Sequence, residues 1–222
     1  MKYLWYCTFY VYFVFQSTFN MTNTEYSKEN KNNRKGSSNF ISLTGLSGIL
    51  TGVYALFGAF TAHFLVSNYL NPDSPISLLP ISFLEYMLVG IAILVLIFST
   101  LTAFIMSYRK AKRNNEKMWD ASSKKLLLYF SLPLFIGGLF CILFYKYGFN
   151  GLIPSAMLVF YGLACLSAST YTFGEIRYLG IVHIIIGLIS TQFTAYGLYF
   201  WAIGFGCIHI IYGIRTYRKS DK

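Results

Sequence analysis

From Tyr178 to Ile214 the chain runs for 37 residues without a single Asp, Glu, Lys or Arg. As one helix that run would be about 55 Å long, nearly twice the roughly 30 Å hydrocarbon core of a bilayer. A run this apolar therefore belongs in a membrane, and one this long must turn back on itself. The break falls near Thr194–Tyr199, around Gly197, and yields two short spans.

Four more runs have the length and apolarity of spanning helices: Phe40 to Val66, Ile81 to Ser107 (interrupted only by Glu85), Leu126 to Tyr145, and Tyr147 to Gly174. The chain is thus expected to be an all-α transmembrane six-helix bundle, built as three antiparallel hairpins over residues 40–214. Composition agrees, because 12% charged residues is about half of what a soluble domain carries.

The cations test this count. Lys and Arg collect in cytoplasmic loops. Lys28, Lys31, Arg34 and Lys35 precede the first helix, and Arg109, Lys110, Lys112, Arg113, Lys117, Lys124 and Lys125 follow the second. Arg177 follows the fourth, and Arg215, Arg218, Lys219 and Lys222 form the basic 215–222 tail. With six spans all of these lie on one side, leaving only Lys2 and Lys146 on the other; an unbroken last run would carry the tail across. The expected location is the bacterial inner membrane, with the polar 21–39 leader and the C-terminus cytoplasmic. Anionic headgroups are the expected partners of the basic loops, and nucleic acid is not, since the +10 net charge is juxtamembrane.

Residues 1–20 fit this scheme poorly. Nine of the seventeen residues from Tyr3 to Phe19 are aromatic, and no small-residue cleavage site follows. Three readings stay open: an extra N-terminal span, an uncleaved signal-like segment, or upstream sequence before a true start at Met21. In the outer loop Asn71 to Pro80, Pro72, Pro75 and Pro80 predict extended, non-helical chain. Pro133, with Gly137 and Gly138, predicts a bend in the third helix, and Pro154 suits the first turn of the fourth. The cysteines Cys7, Cys141, Cys165 and Cys207 sit singly in apolar runs, so they read as buried hydrophobes rather than a disulfide or zinc framework.

Two constellations stand out. In the first helix Ser47, Thr51, Ala55, Ala59 and His63 recur every four residues beside Gly48 and Gly52, a small-residue packing face. His63 at the end of that face is expected to point inward, level with Glu85 on the next helix, as a candidate proton or ligand pair. In the last hairpin, Gly180-Ile-Val-His183-Ile-Ile-Ile-Gly187 and Gly206-Cys-Ile-His209-Ile-Ile-Tyr-Gly213 share five of eight positions. Antiparallel pairing would set Gly180 opposite Gly213, Gly187 opposite Gly206, and His183 level with His209. Two histidines so placed suit packing, proton transfer, a metal ion or axial haem ligation. Further metal donors would have to come from Glu175, Tyr212 or Cys207.

No P-loop, G-x-S-x-G, H-E-x-x-H or dinucleotide fingerprint occurs. The stretch Phe40-Ile-Ser-Leu-Thr-Gly-Leu-Ser-Gly-Ile-Leu-Thr-Gly-Val-Tyr-Ala-Leu-Phe-Gly-Ala59, with Gly174-Glu-Ile-Arg-Tyr-Leu-Gly180, resembles a family of uncharacterised small polytopic membrane proteins of Bacteroidetes-type bacteria. The resemblance implies a helical membrane bundle opening after a polar leader, and implies no activity.

The sequence thus points to a non-enzymatic membrane component, ligand- or ion-responsive or permease-like, with no cofactor expected. Its rivals are a haem- or metal-binding redox protein using His183 and His209, and a scaffold docking a cytoplasmic partner through the 108–125 loop. A homo-oligomer or a second membrane protein is compatible with each.

Overall fold

A computed structural model describes residues 45–113, 121–170 and 175–220. The 1–20 segment, the 21–39 leader, the middle of the basic loop and Cys7 lie outside the described residues. Within them the chain is almost wholly helical, with six main helices and no strand. Helix α1 spans Gly45–Leu70, α2 Ile81–Arg113, α3 Ala121–Lys146, α4 Ile153–Ala168 and α5 Glu175–Gln192. The sixth, α6, is continuous but changes register: α-helical over Gly197–Trp201, π-helical over Ala202–Ile208, α-helical again over His209–Ser220. Five of the six are long and apolar enough to cross a membrane, and α5 is somewhat shorter. The chain has the make-up of a multi-pass membrane protein.

The long uncharged run breaks where its length requires. Helix α5 stops at Gln192, Phe193 leaves helical geometry, and a 3-10 turn over Thr194–Tyr196 leads into α6. Gly197, the centre of the expected break, instead begins the new helix, buried against the Pro154 ring. Pro154 occupies the first turn of α4 as expected. The α3–α4 turn rests on Gly148, whose φ of +78° is disfavoured for residues with a side chain. There the Phe149 N–H reaches back to the Phe144 carbonyl (2.8 Å) in the six-to-one bond of a Schellman ending.

Other boundaries depart from expectation. Helix α2 runs six residues past Ser107, so its cations continue the helix rather than ending it. The outer loop is not wholly extended. Pro75–Leu78 forms a 3-10 turn, because the Ser74 hydroxyl caps the Ile76 N–H (3.3 Å) and proline's fixed φ suits a first helical position. Helix α3 is unbroken through Pro133. Of the cysteines, Cys165 is buried and Cys141 half-buried, whereas Cys207 is exposed and not the core residue expected.

The helices pack as two three-helix units. Helix α1 lies between α2 and α6, and α4 lies between α3 and α5. The units meet mainly where the first half of α6, including its π segment, crosses α4 and α5. The third hairpin is therefore splayed, since α5 packs chiefly on α4 and α6 chiefly on α1.

Glycine sets both tight seams. A Cβ on Gly162 of α4 would lie 2.6 Å from the Gly180 carbonyl oxygen of α5, and one on Gly213 of α6 would lie 2.6 Å from that of Gly45 on α1. Backbones this close gain dispersion contacts that lipid cannot replace. Each unit also has cross-helix hydroxyl bonds: Ser155 to Ser190 (2.9 Å) between α4 and α5, and Ser99 to Thr51 (3.1 Å) between α2 and α1. The described cations Arg109, Lys112, Lys124, Lys125, Arg177, Arg215 and Arg218 fall at one end of the bundle and Lys146 at the other, following the alternation of helix direction.

Candidate functional site: a buried histidine pair at the junction of the two units

The expected register of the last hairpin is half right. Gly180 does not face Gly213, nor Gly187 Gly206. Gly180 and Gly187 pack on Gly162 and Val159 of α4, while Gly206 and Gly213 pack on Leu56 and Ile49 of α1. Each glycine face holds its helix to a different neighbour, and in both seams it meets a glycine there, Gly162 on α4 and Gly45 on α1. The histidines at the edges of these faces do meet. Both are fully buried, and their rings stand edge to face with centroids 5.0 Å apart.

The π segment helps to make that meeting possible. A π register adds a residue to the turn and rotates the part of the helix beyond it, a device frequent at functional sites. Here the His209 backbone N–H bonds to the Gly206 carbonyl, while its ring Nδ1 donates to the Gly204 carbonyl five residues back (3.1 Å). Gly204 also admits Leu158 of α4, a fully buried side chain that lies against Gly187 of α5 as well. The absence of side chains at Gly204 and Gly187 lets Leu158 lock the two units together beside the histidines.

The hydrogen bonds assign the tautomers. His183 Nδ1 lies 2.8 Å from the Leu179 carbonyl one turn back, and His209 Nδ1 lies against that of Gly204. A carbonyl only accepts, so both Nδ1 atoms carry the proton and both Nε2 atoms present a lone pair. The lone pair of His209 accepts from the Tyr161 hydroxyl at 2.8 Å. Tyr161 also packs against the cluster containing Cys165, one turn along α4. The Nε2 of His183 is buried with no hydrogen-bond partner, although its ring touches those of Tyr161 (5.0 Å) and Phe205 (5.6 Å) and lies beside the Gly204 carbonyl. Such an orphan acceptor costs about 1–3 kcal/mol in an apolar interior.

Sequence reasoning missed three members of this cluster. Tyr161, Cys165 and Phe205 lie in runs where aromatics and cysteines are common, and only the fold sets Tyr161 between the two imidazoles. Of the extra donors expected from sequence, Tyr212 packs on the Cys165–Ile176–Leu179 cluster and Cys207 is exposed. The Glu175 side chain lies outside the described residues. Axial haem ligation does not fit. Two imidazoles on opposite faces of one iron place their centroids about 6 Å apart with a porphyrin between them. At 5.0 Å, edge against face, these rings leave no slot for one.

The other expected pair does not form. His63 is exposed rather than inward, and its Nε2 bonds the Tyr199 hydroxyl of α6 at 2.9 Å. Glu85 accepts from the Tyr145 hydroxyl (2.9 Å) and the Asn150 amide (3.4 Å), tying α2 to the far end of α3. Aromatic hydroxyls from other helices claim both groups. The small-residue face of α1 is as read from the sequence: Ser47, Gly48, Gly52, Ala55 and Ala59 are all buried. Among the described residues no cluster of three or more His, Cys, Asp or Glu is poised to hold a metal.

Compared with family models, curated proteins and solved structures, the chain finds no match in any of the three.

Proposed function

We propose that this protein is a non-enzymatic, ion-responsive and permease-like component of a bacterial inner membrane. In this reading the two three-helix units shift against one another about the His183–His209–Tyr161 centre. The observation that carries it is the orphaned His183 Nε2, buried where the units join. Intramembrane ionisable groups are expensive and are retained chiefly for function. The distribution of packing supports motion between units rather than within them. The glycine seams hold backbones together inside each unit, whereas contact between units is sparser and falls mainly on the first half of α6, where Gly197–Trp201 meets α4 and α5 and the π segment touches α5. The basic end faces the cytoplasm in this reading, where Arg109, Lys124, Lys125, Arg215 and Arg218 meet anionic headgroups.

The test is cation flux into proteoliposomes loaded with a pH dye or, in a parallel set, a zinc dye. Flux above that of protein-free vesicles, reduced at least tenfold by His183→Ala or His209→Ala and unchanged by His63→Ala, supports the reading. Flux equal to protein-free vesicles with both dyes, or unaltered by both centre substitutions, overturns it.

A further inference from the structure

We infer that the centre takes up one proton, shared between Nε2 of His183 and Nε2 of His209 through the Tyr161 hydroxyl, and that this proton is the ion to which the protein responds. This deepens the proposed function by naming the ion, and it rests on that reading only for the consequence of binding.

The hydrogen bonds of the centre are one donor short. With each Nδ1–H on a backbone carbonyl, that of Leu179 or Gly204, both Nε2 atoms are acceptors. The Tyr161 hydroxyl donates to His209 at 2.8 Å, and His183 Nε2 is left without a partner. A proton on His183 Nε2 turns that acceptor into a donor toward the Tyr161 oxygen, whose own hydrogen stays on His209. All three groups are then satisfied. The mirror arrangement is equally complete, with the proton on His209 and the Tyr161 hydroxyl turned to His183. The Tyr161 ring packs almost equally close on the two, at 5.0 Å from His183 and 5.3 Å from His209. The states interconvert as the Nε2 proton of one imidazole passes to the Tyr161 oxygen while the hydroxyl proton passes to the other imidazole. Two bonds to hydrogen break, two form, and both Nδ1–H groups stay on their carbonyls. A second proton would leave the Tyr161 hydrogen without an acceptor and set two like charges side by side.

A proton suits this site because it adds no volume. The rings of Tyr161, His209 and Phe205 stand 5.0, 5.0 and 5.6 Å from that of His183, and both imidazoles are fully buried. Even a water needs about 10–15 Å³ and at least two polar partners. The titratable groups facing the pair are Tyr161 and Cys165 from α4, with Tyr212 from α6 packed on Cys165 and Leu179. Arg177 on α5 and Arg215 on α6 are exposed, six residues from His183 and from His209 respectively. The described carboxylates, Asp73 and Glu85, lie at the other end of the bundle. The charge is met instead by the phenolic oxygen and by Phe205, stacked on His209 at 5.9 Å. The completed chain His183–Tyr161–His209 crosses from one unit to the other, so gaining or losing the proton changes the bonding between them.

The experiment is nitrogen-15 NMR of the full chain in lipid nanodiscs, labelled at its histidines and titrated from about pH 8 to about pH 4. The chain has three histidines, and His63→Ala identifies the signals of the third. The expected result is that His183 and His209 shift together in one transition that accounts for a single proton, as coupled sites do. His183→Gln puts a neutral amide donor in place of the proton, so His209 should cease to titrate in a chain that stays monodisperse. Tyr161→Phe should split the shared transition in two. Neutral signals from both histidines across the whole range overturn the inference. So do two independent transitions in the wild type, or a shared one that survives Tyr161→Phe. Zinc entry that depends on His183 while neither ring titrates would sink the proton and leave the proposed function standing. A shared proton without cation flux would do the reverse.

Discussion

His183 and His209 meet ring to ring at 5.0 Å, although the glycines that flank each of them in sequence are packed against different helices. The contact is thus made across the boundary between two units and not inside a glycine-packed hairpin. Substitutions in the seams and in the centre should consequently behave differently.

Glycine substitutions should divide by what a side chain would meet. Gly213→Ala and Gly180→Ala drive a methyl into neighbouring backbone, with carbonyl oxygens at 2.6 and 2.7 Å. Each is expected to cost about 1–3 kcal/mol, as overpacking does. Gly90 and Gly138 have nothing within 4 Å, so alanine there should be neutral or stabilising by up to about 1 kcal/mol through helix propensity. Thermal unfolding followed by size-exclusion chromatography in detergent would separate the classes; equal losses in both would refute the seams.

Leu158→Ala should open a cavity beside the histidines, since this fully buried side chain lies against both Gly187 and Gly204. A loss of about 2–5 kcal/mol is expected. Gly204→Ala should be suppressed by Leu158→Ala in the double mutant, because the added methyl would collide with the Leu158 side chain and not with backbone. Additive losses in that cycle would contradict the lock.

Tyr161→Phe removes one hydroxyl but leaves His209 Nε2 buried without its donor, so it should destabilise by about 1–3 kcal/mol. The subsequent His209→Ala should then cost less than it does in the parent chain. Chemical denaturation of the four members of the cycle measures the coupling, and a coupling of zero would separate Tyr161 from the centre.

At the far end, the coupled partners should be His63 with Tyr199 and Glu85 with Tyr145. Double-mutant cycles on those two pairs should return about 0.5 kcal/mol or more each. The pair His63 with Glu85 should be additive. Strong coupling between them would restore the arrangement expected from sequence.

The class of fold, the number of helices and the division of the last run were all legible in the residues alone. They rest on one-dimensional quantities: the length of an uncharged run against the thickness of a bilayer, and the side on which cations collect. The residues also marked His183 and His209 as level with one another, since depth along an antiparallel hairpin is a matter of counting. What counting cannot supply is the angle at which a helix presents a face. A small-residue stripe shows that something approaches closely but not which helix does. It took the packed bundle to assign the α5 stripe to α4 and the α6 stripe to α1. The π segment of α6 is equally invisible, since Gly204-Phe-Gly206 is as compatible with an ordinary helix. That shift of register, and the Tyr161 hydroxyl arriving from a third helix, made two level histidines into one centre, while Tyr199 and Tyr145 drew His63 and Glu85 apart. Side-chain partners are chosen by packing in three dimensions, where volume and close approach decide, and hydropathy along the chain carries no record of that choice.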